Sequence, residues 1–160
     1  MAIGIVIPAD DNLDLTIRTF ETLPDYQAAV GGYVEYIALA EPTASLFVNE
    51  EGKIRHLPDN ERATLIMRMH NRIHDGDSVA GDAVLIGPEN VRGESTDVPE
   101  GFRDLLFEWS TFDVEIQLAL LPGEWITVDG SARTWDEAYR KSLDLMWAWG
   151  EIRAARVRSF

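Results

Sequence analysis

Phe102-Arg103-Asp104-Leu105-Leu106-Phe107-Glu108-Trp109-Ser110-Thr111-Phe112-Asp113-Val114-Glu115-Ile116-Gln117-Leu118-Ala119-Leu120 changes its hydrophobic period half-way along. Phe102, Leu105, Leu106 and Trp109 recur at i, i+3, i+4 and i+7, the stripe of a helix with one buried face. Phe112, Val114, Ile116, Leu118 and Leu120 then alternate with Asp113, Glu115 and Gln117, the period of a half-buried strand. The class this predicts is α+β, with mixed sheets and packed helices in two small lobes.

Downstream, Pro122-Gly123 turns into Trp125-Ile126-Thr127-Val128, and Asp129-Gly130-Ser131 turns out again. Thr134-Trp135-Asp136-Glu137 has the Thr-x-x-Glu form of a capping box and predicts a helix reaching about Ile152. Residues 102–160 therefore read as an αββα lobe, and it carries all five tryptophans. Upstream, residues 88–101 shift to Pro, Gly, Asn, Ser and acids, the composition of a loop or linker.

Residues 1–87 read as a second α+β lobe. Ile3, Ile5 and Ile7 alternate, as do Leu13, Leu15 and Ile17, so a hairpin is expected around Pro8–Asn12. Pro24 suits a first helical turn, and Tyr26–Val30 makes a short helix closed by Gly31-Gly32. Tyr33–Leu39 and Ala44–Val48 are strand-like, with Ile54-Arg55-His56-Leu57 expected as a further strand after the Gly52 turn. Asp59-Asn60 supplies cap chemistry for a helix over about 61–73, burying Leu65, Ile66, Met69 and Ile73. Gly81–Gly87 closes the lobe as a strand.

The blocks Val30-Gly31-Gly32-Tyr33-Val34-Glu35, Leu46-Phe47-Val48-Asn49-Glu50-Glu51-Gly52-Lys53, Leu57-Pro58-Asp59-Asn60-Glu61-Arg62-Ala63-Thr64 and Val79-Ala80-Gly81-Asp82-Ala83-Val84-Leu85-Ile86-Gly87 carry a resemblance. In this order they resemble a small domain-of-unknown-function family of actinobacterial phages, plasmids and their hosts. The resemblance covers the first half of the chain and transfers no catalytic residue. It implies a mobile-element setting and a role in host interaction.

Composition sets further bounds. The 160 residues hold 28 acidic and 14 basic side chains, a net charge of −14, with 46% hydrophobic content and no cysteine. That is enough apolar material for a core. The missing thiols exclude disulfides, zinc knuckles, iron–sulfur clusters and cysteine catalysis. The sign of the charge opposes direct binding to nucleic acid, which needs Lys and Arg against phosphate. The apolar start Met1–Ile7 lacks the basic flank and length of a secretion signal, and no run approaches a membrane span, so a cytoplasmic protein is expected.

Charge is uneven along the chain. Residues 1–100 hold 18 acids and 7 bases, a net of −11, against −3 for the remainder. Acids at expected turns, Glu50, Glu51, Asp75, Asp77 and Asp82, are the expected contacts to a basic protein surface, including one that ordinarily holds nucleic acid. A nucleic-acid mimic would need carboxylates on one face at about one charge per 1.7 Å of duplex axis. A solubilising coat is the plainer alternative. Trp147 is the expected interface anchor on the last helix, because Trp147 and Trp149 face nearly opposite ways. A homodimer joined there is a further option.

Catalytic patterns are sparse. His70 and His74 at i, i+4 could present two imidazoles, but zinc needs about four ligands and only His56 remains. Gly76-Asp77-Ser78 resembles an esterase nucleophile block, yet every histidine precedes Ser78. Gly76–Gly81 has phosphate-loop spacing with Asp82 where Lys is required. The expectation is no catalytic residue, no metal and no cofactor. A hydrolase using His70, His74 and Ser78 stands as the alternative.

Overall fold

The computed structural model describes residues 1–107 and 111–159, folded as two units, 1–103 and 104–160. Trp109, expected on the first helix of the second lobe, lies outside the described residues.

In unit 1 the elements run β1 (Ala2–Ile7), β2 (Thr16–Phe20), α1 (Leu23–Val30), β3 (Val34–Leu39), β4 (Ala44–Asn49), α2 (Glu61–His70), a 3-10 turn (Arg72–His74) and β5 (Ala83–Ile86). The strands form one sheet in the order β2-β1-β5-β4-β3. Every pairing is antiparallel, so the sheet is not of the mixed type expected. Alternation along the strands sorts side chains to two faces. Ala2, Val6, Phe20, Phe47, Val84 and Ile86 pack with Tyr26 and Val30 of α1. Ile5, Ile7, Leu46, Ala83 and Leu85 are buried from the opposite face, where α2 contributes Ala63, Ile66 and Met67 to the core.

Local chemistry sets the helix ends. Asp25 accepts hydrogen bonds from the Glu21 and Thr22 N–H groups to open α1. Gly31 closes α1 at a φ of 76°, a left-handed conformation that suits glycine. Asn60, 1% exposed, caps α2 by accepting from Ala63 N–H, while its amide donates to the Ile7 and Gly81 carbonyls at 2.9 Å each. One side chain thus starts a helix and ties it to two strand ends.

Two expectations for this unit are corrected and a third is sharpened. Residues 54–57 make turns rather than a strand, with Arg55 N–H on Glu51 O, His56 N–H on Lys53 O and Leu57 N–H on Gly52 O. α2 stops at His70 because the Asn71 side chain accepts from Ile73 N–H and nucleates the 3-10 turn. Ile73 is therefore 91% exposed rather than buried, and Met69 is only half-buried. The stretch expected as a loop or linker, 88–101, is irregular loop as far as Pro99 and folds back against β1. Gly87 N–H bonds Thr96 O, Ile3 N–H bonds the Asp97 carboxylate at 2.7 Å, and Val98 N–H returns to Ile3 O at 2.8 Å.

Helix α3 (Glu100–Phe107) runs into unit 2, which continues with β6 (Phe112–Leu118), β7 (Ile126–Thr127), α4 (Trp135–Ala148) and β8 (Ile152–Ser159). The sheet order is β7-β6-β8, antiparallel throughout. α4 packs on β6 and β8 and buries Trp135, Ala138, Tyr139 and Ser142. Thr134 caps α4 by accepting from Glu137 N–H. The helix ends at Ala148, short of Ile152, and the arginine-rich tail becomes β8, so the expected αββα order gains a fifth element.

Candidate functional site

A cleft of about 240 Å³ opens in unit 1 beside the β3–β4 pair. Its construction starts from register: Glu35 on β3 lies opposite Val48 on β4. That pairing sends Glu35, Ile37 and Val48 toward the face that also receives Met67 of α2, and all four line the cleft. At the end of β4, buried Asn49 donates to Val30 O and accepts from Glu51 N–H, which fixes the turn bearing Glu50. Gly52 follows, where a Cβ would lie 2.5 Å from the Ala80 carbonyl oxygen, so only glycine lets these two chains meet. This approach brings Lys53 and Ile54 to the same rim as His74, Asp77 and Ser78.

Asp77 organises the rim. Its carboxylate pairs with Lys53 and accepts from Ser78 N–H at 2.8 Å, and its other oxygen lies 3.8 Å from His74 Nδ1. The Lys53 hydrogen bond, with the Ser78 N–H behind it, holds the carboxyl below the usual aspartate range. Arg68 Nε donates to the Asp77 carbonyl and secures the turn from behind. Glu35 and Glu50, both exposed, make no ion pair among the described residues.

The expected site residues divide. Glu50 and Asp77 meet at the cleft, joined by His74 and Ser78. Glu51 and Asp75 are exposed and do not line it. Asp82 serves the fold, its carboxylate accepting from Ala9 N–H at 2.8 Å. Trp147 belongs to unit 2, at the last turn of α4, and is 93% exposed.

His70 stands apart from His74. Its Nδ1 lies 3.1 Å from the Ala40 carbonyl and its ring meets the Phe102 ring edge-on at 4.9 Å. Burial pushes this imidazole below the usual histidine range, outweighing the Ala40 and Glu41 carbonyls. Ser78 meets Asp77 through its backbone N–H, and among the described residues its hydroxyl makes no hydrogen bond to His74 or His70. No group of three or more His, Asp or Glu residues among those described is placed to hold a metal ion.

Glu35, Lys53 and the Glu115 cluster of unit 2 are polar features that linear spacing did not single out. Glu115, 7% exposed, accepts from Arg156 Nε at 2.5 Å and from Arg158 at 3.3 Å, while the Arg156 guanidinium lies 4.1 Å over the Trp125 ring. Burial alone would raise the Glu115 carboxyl, but the two arginines overcome it and hold it below the usual glutamate range. No helix of the described residues is long and apolar enough to cross a membrane.

A five-stranded antiparallel sheet between two helices, with a small polar-rimmed cleft, makes unit 1 an α+β domain, the class expected from the sequence. Residues 3–109 match the domain of unknown function DUF3846, and the chain belongs to that family. No curated protein and no solved structure matches the chain.

Proposed function

We propose that this chain is a non-enzymatic accessory protein of a phage or other mobile element, acting in the cytoplasm by docking unit 1 on a basic surface of a host protein. The observation that carries this reading is the net acidity of unit 1. Unit 1 holds 18 acids against 8 bases, a net of −10, whereas residues 104–160 hold 10 acids against 6 bases, a net of −4. A field of that sign steers basic surfaces inward and repels phosphate. Glu35, Glu50, Glu51 and Asp75 are among its exposed carboxylates near the cleft, while Asp25, Asp82 and Asp97 are engaged by backbone N–H groups.

Nucleic-acid mimicry is the narrower form of the same proposal. Capture from host lysate on the immobilised full chain, at low and high salt and with duplex DNA as competitor, tests both forms. The expected result is a retained set of basic proteins that salt releases, with release by DNA where mimicry operates. Retention of acidic proteins, or capture indifferent to salt, overturns the reading.

A second reading, a homodimer joined through α4, is favoured by the 93% exposure of Trp147. It requires Trp147→Ala to move the mass measured by light scattering toward monomer. An unchanged mass removes it.

A further inference from the structure

We infer that the cleft beside β3–β4 is a receptor for a single basic side chain, arginine or lysine, presented by the partner protein; this rests on the protein-docking reading above. Three observations converge. The floor is apolar, formed by Ile37, Val48, Met67 and Val79. The rim carries Glu35 and Glu50, whose carboxylates are unpaired among the described residues. The one lysine at the rim, Lys53, is neutralised by Asp77 and so does not oppose an incoming cation.

A long basic side chain has the matching anatomy. Its methylene stem covers apolar surface while its charged head stays near water. The cleft supplies apolar surface below and carboxylates at the edge, so the head is paired without being stripped of solvent, which avoids the desolvation cost of a buried ion pair. Size agrees. At about 240 Å³ the cleft falls below the range of roughly 300–1,000 Å³ typical of drug-sized and cofactor pockets, and suits one side chain. Asn49 and Gly52 hold the Glu50 turn by hydrogen bonding and close packing, so the rim is formed before anything binds.

The test follows Met and Val methyl resonances of the full chain by NMR while titrating a capped pentapeptide with one central residue. Three versions are used, with arginine, lysine, or citrulline as the neutral isostere of arginine. Saturable shifts at Met67 and Val48 are expected with arginine or lysine, weakened about fivefold by citrulline and about fivefold by the double variant Glu35→Gln/Glu50→Gln, the scale of a partly solvated ion pair. Both glutamates are exposed, so the variant keeps the fold. Equal binding of the citrulline peptide overturns the inference. So do charged peptides that bind without moving Met67 and Val48, an outcome that leaves the docking of an acidic surface standing. Failure of every peptide, together with failure of lysate capture, removes both.

Discussion

Glu115 on β6 and Arg156 on β8 face each other across the sheet of unit 2, with the carboxylate 2.5 Å from the guanidinium Nε. Arg158 adds a second contact at 3.3 Å and Trp125 backs Arg156. Both arginines are about half exposed, so solvent screens the cluster. Glu115→Gln is expected to cost about 1 kcal/mol near neutral pH, measured by urea unfolding. The sign with pH is fixed by the lowered folded-state carboxyl. The wild-type advantage is present above the unfolded glutamate value of about 4.3 and is lost as pH falls through the folded one. Wild type and variant should therefore converge in acid, and a gap that widens there contradicts the assignment.

Asn60 should be the least replaceable polar side chain of unit 1. Asn60→Ala removes the α2 cap and two buried amide donations, for about 2–4 kcal/mol by thermal or urea unfolding. Asn60→Asp keeps the cap acceptor but sets a carboxylate against the Ile7 and Gly81 carbonyls. It should be worse than Ala at neutral pH and recover in acid, where a protonated Asp can donate.

Arg62 pins the loop after β1: its Nη2 donates to the Pro8, Asp10 and Leu13 carbonyls at 2.8–3.1 Å. Arg62→Met keeps the stem and deletes the donors. It should cost about 1–3 kcal/mol and speed hydrogen exchange at Leu13 N–H, which bonds Asp10 O, while α1 amides stay protected.

Charge reversal separates the docking surface from the folding carboxylates. Glu50→Lys or Asp75→Lys should weaken capture of a basic partner and flatten its salt dependence without moving the unfolding midpoint, since both side chains are exposed. Asp82→Lys should instead lower stability, because it removes the acceptor for Ala9 N–H.

Much of the fold was legible where period and local chemistry agree. The alternation in Ile3–Ile7 and Phe112–Leu118, the Gly31 stop and the Asn60 cap each specify an element from neighbours in sequence. β8 was not legible. Ile152-Arg153-Ala154-Ala155-Arg156-Val157-Arg158 is rich in Ala and Arg, which favour helix, and pairing with β6 overrides that preference. The same holds for residues 88–101, whose loop composition is real but whose attachment to Ile3 spans nearly the whole unit. Of the cleft, the turn acids Glu50 and Asp77 could be read as exposed charge. Glu35 and Lys53 could not be placed, because the Glu35–Val48 register and the Gly52–Ala80 approach are decided by sheet pairing rather than by any linear spacing.

The double attachment of Ile3 to Asp97 and Val98 bears on the order of assembly. β5 pairs with β1 only at Ile5, Val6 and Ile7, so the place beside Ile3 is taken by chain made 94 residues later. During synthesis, the β1–β2 hairpin, α1 and the β3–β4 hairpin can form from short-range contacts while the other side of β1 at Ile3 still lacks a neighbour. The β5 side of β1 at Ile3 is therefore closed only after residue 98 has emerged, and in a nascent chain arrested at residue 87 the Ile3 N–H should exchange faster than in the full chain although five strands of sequence are already present.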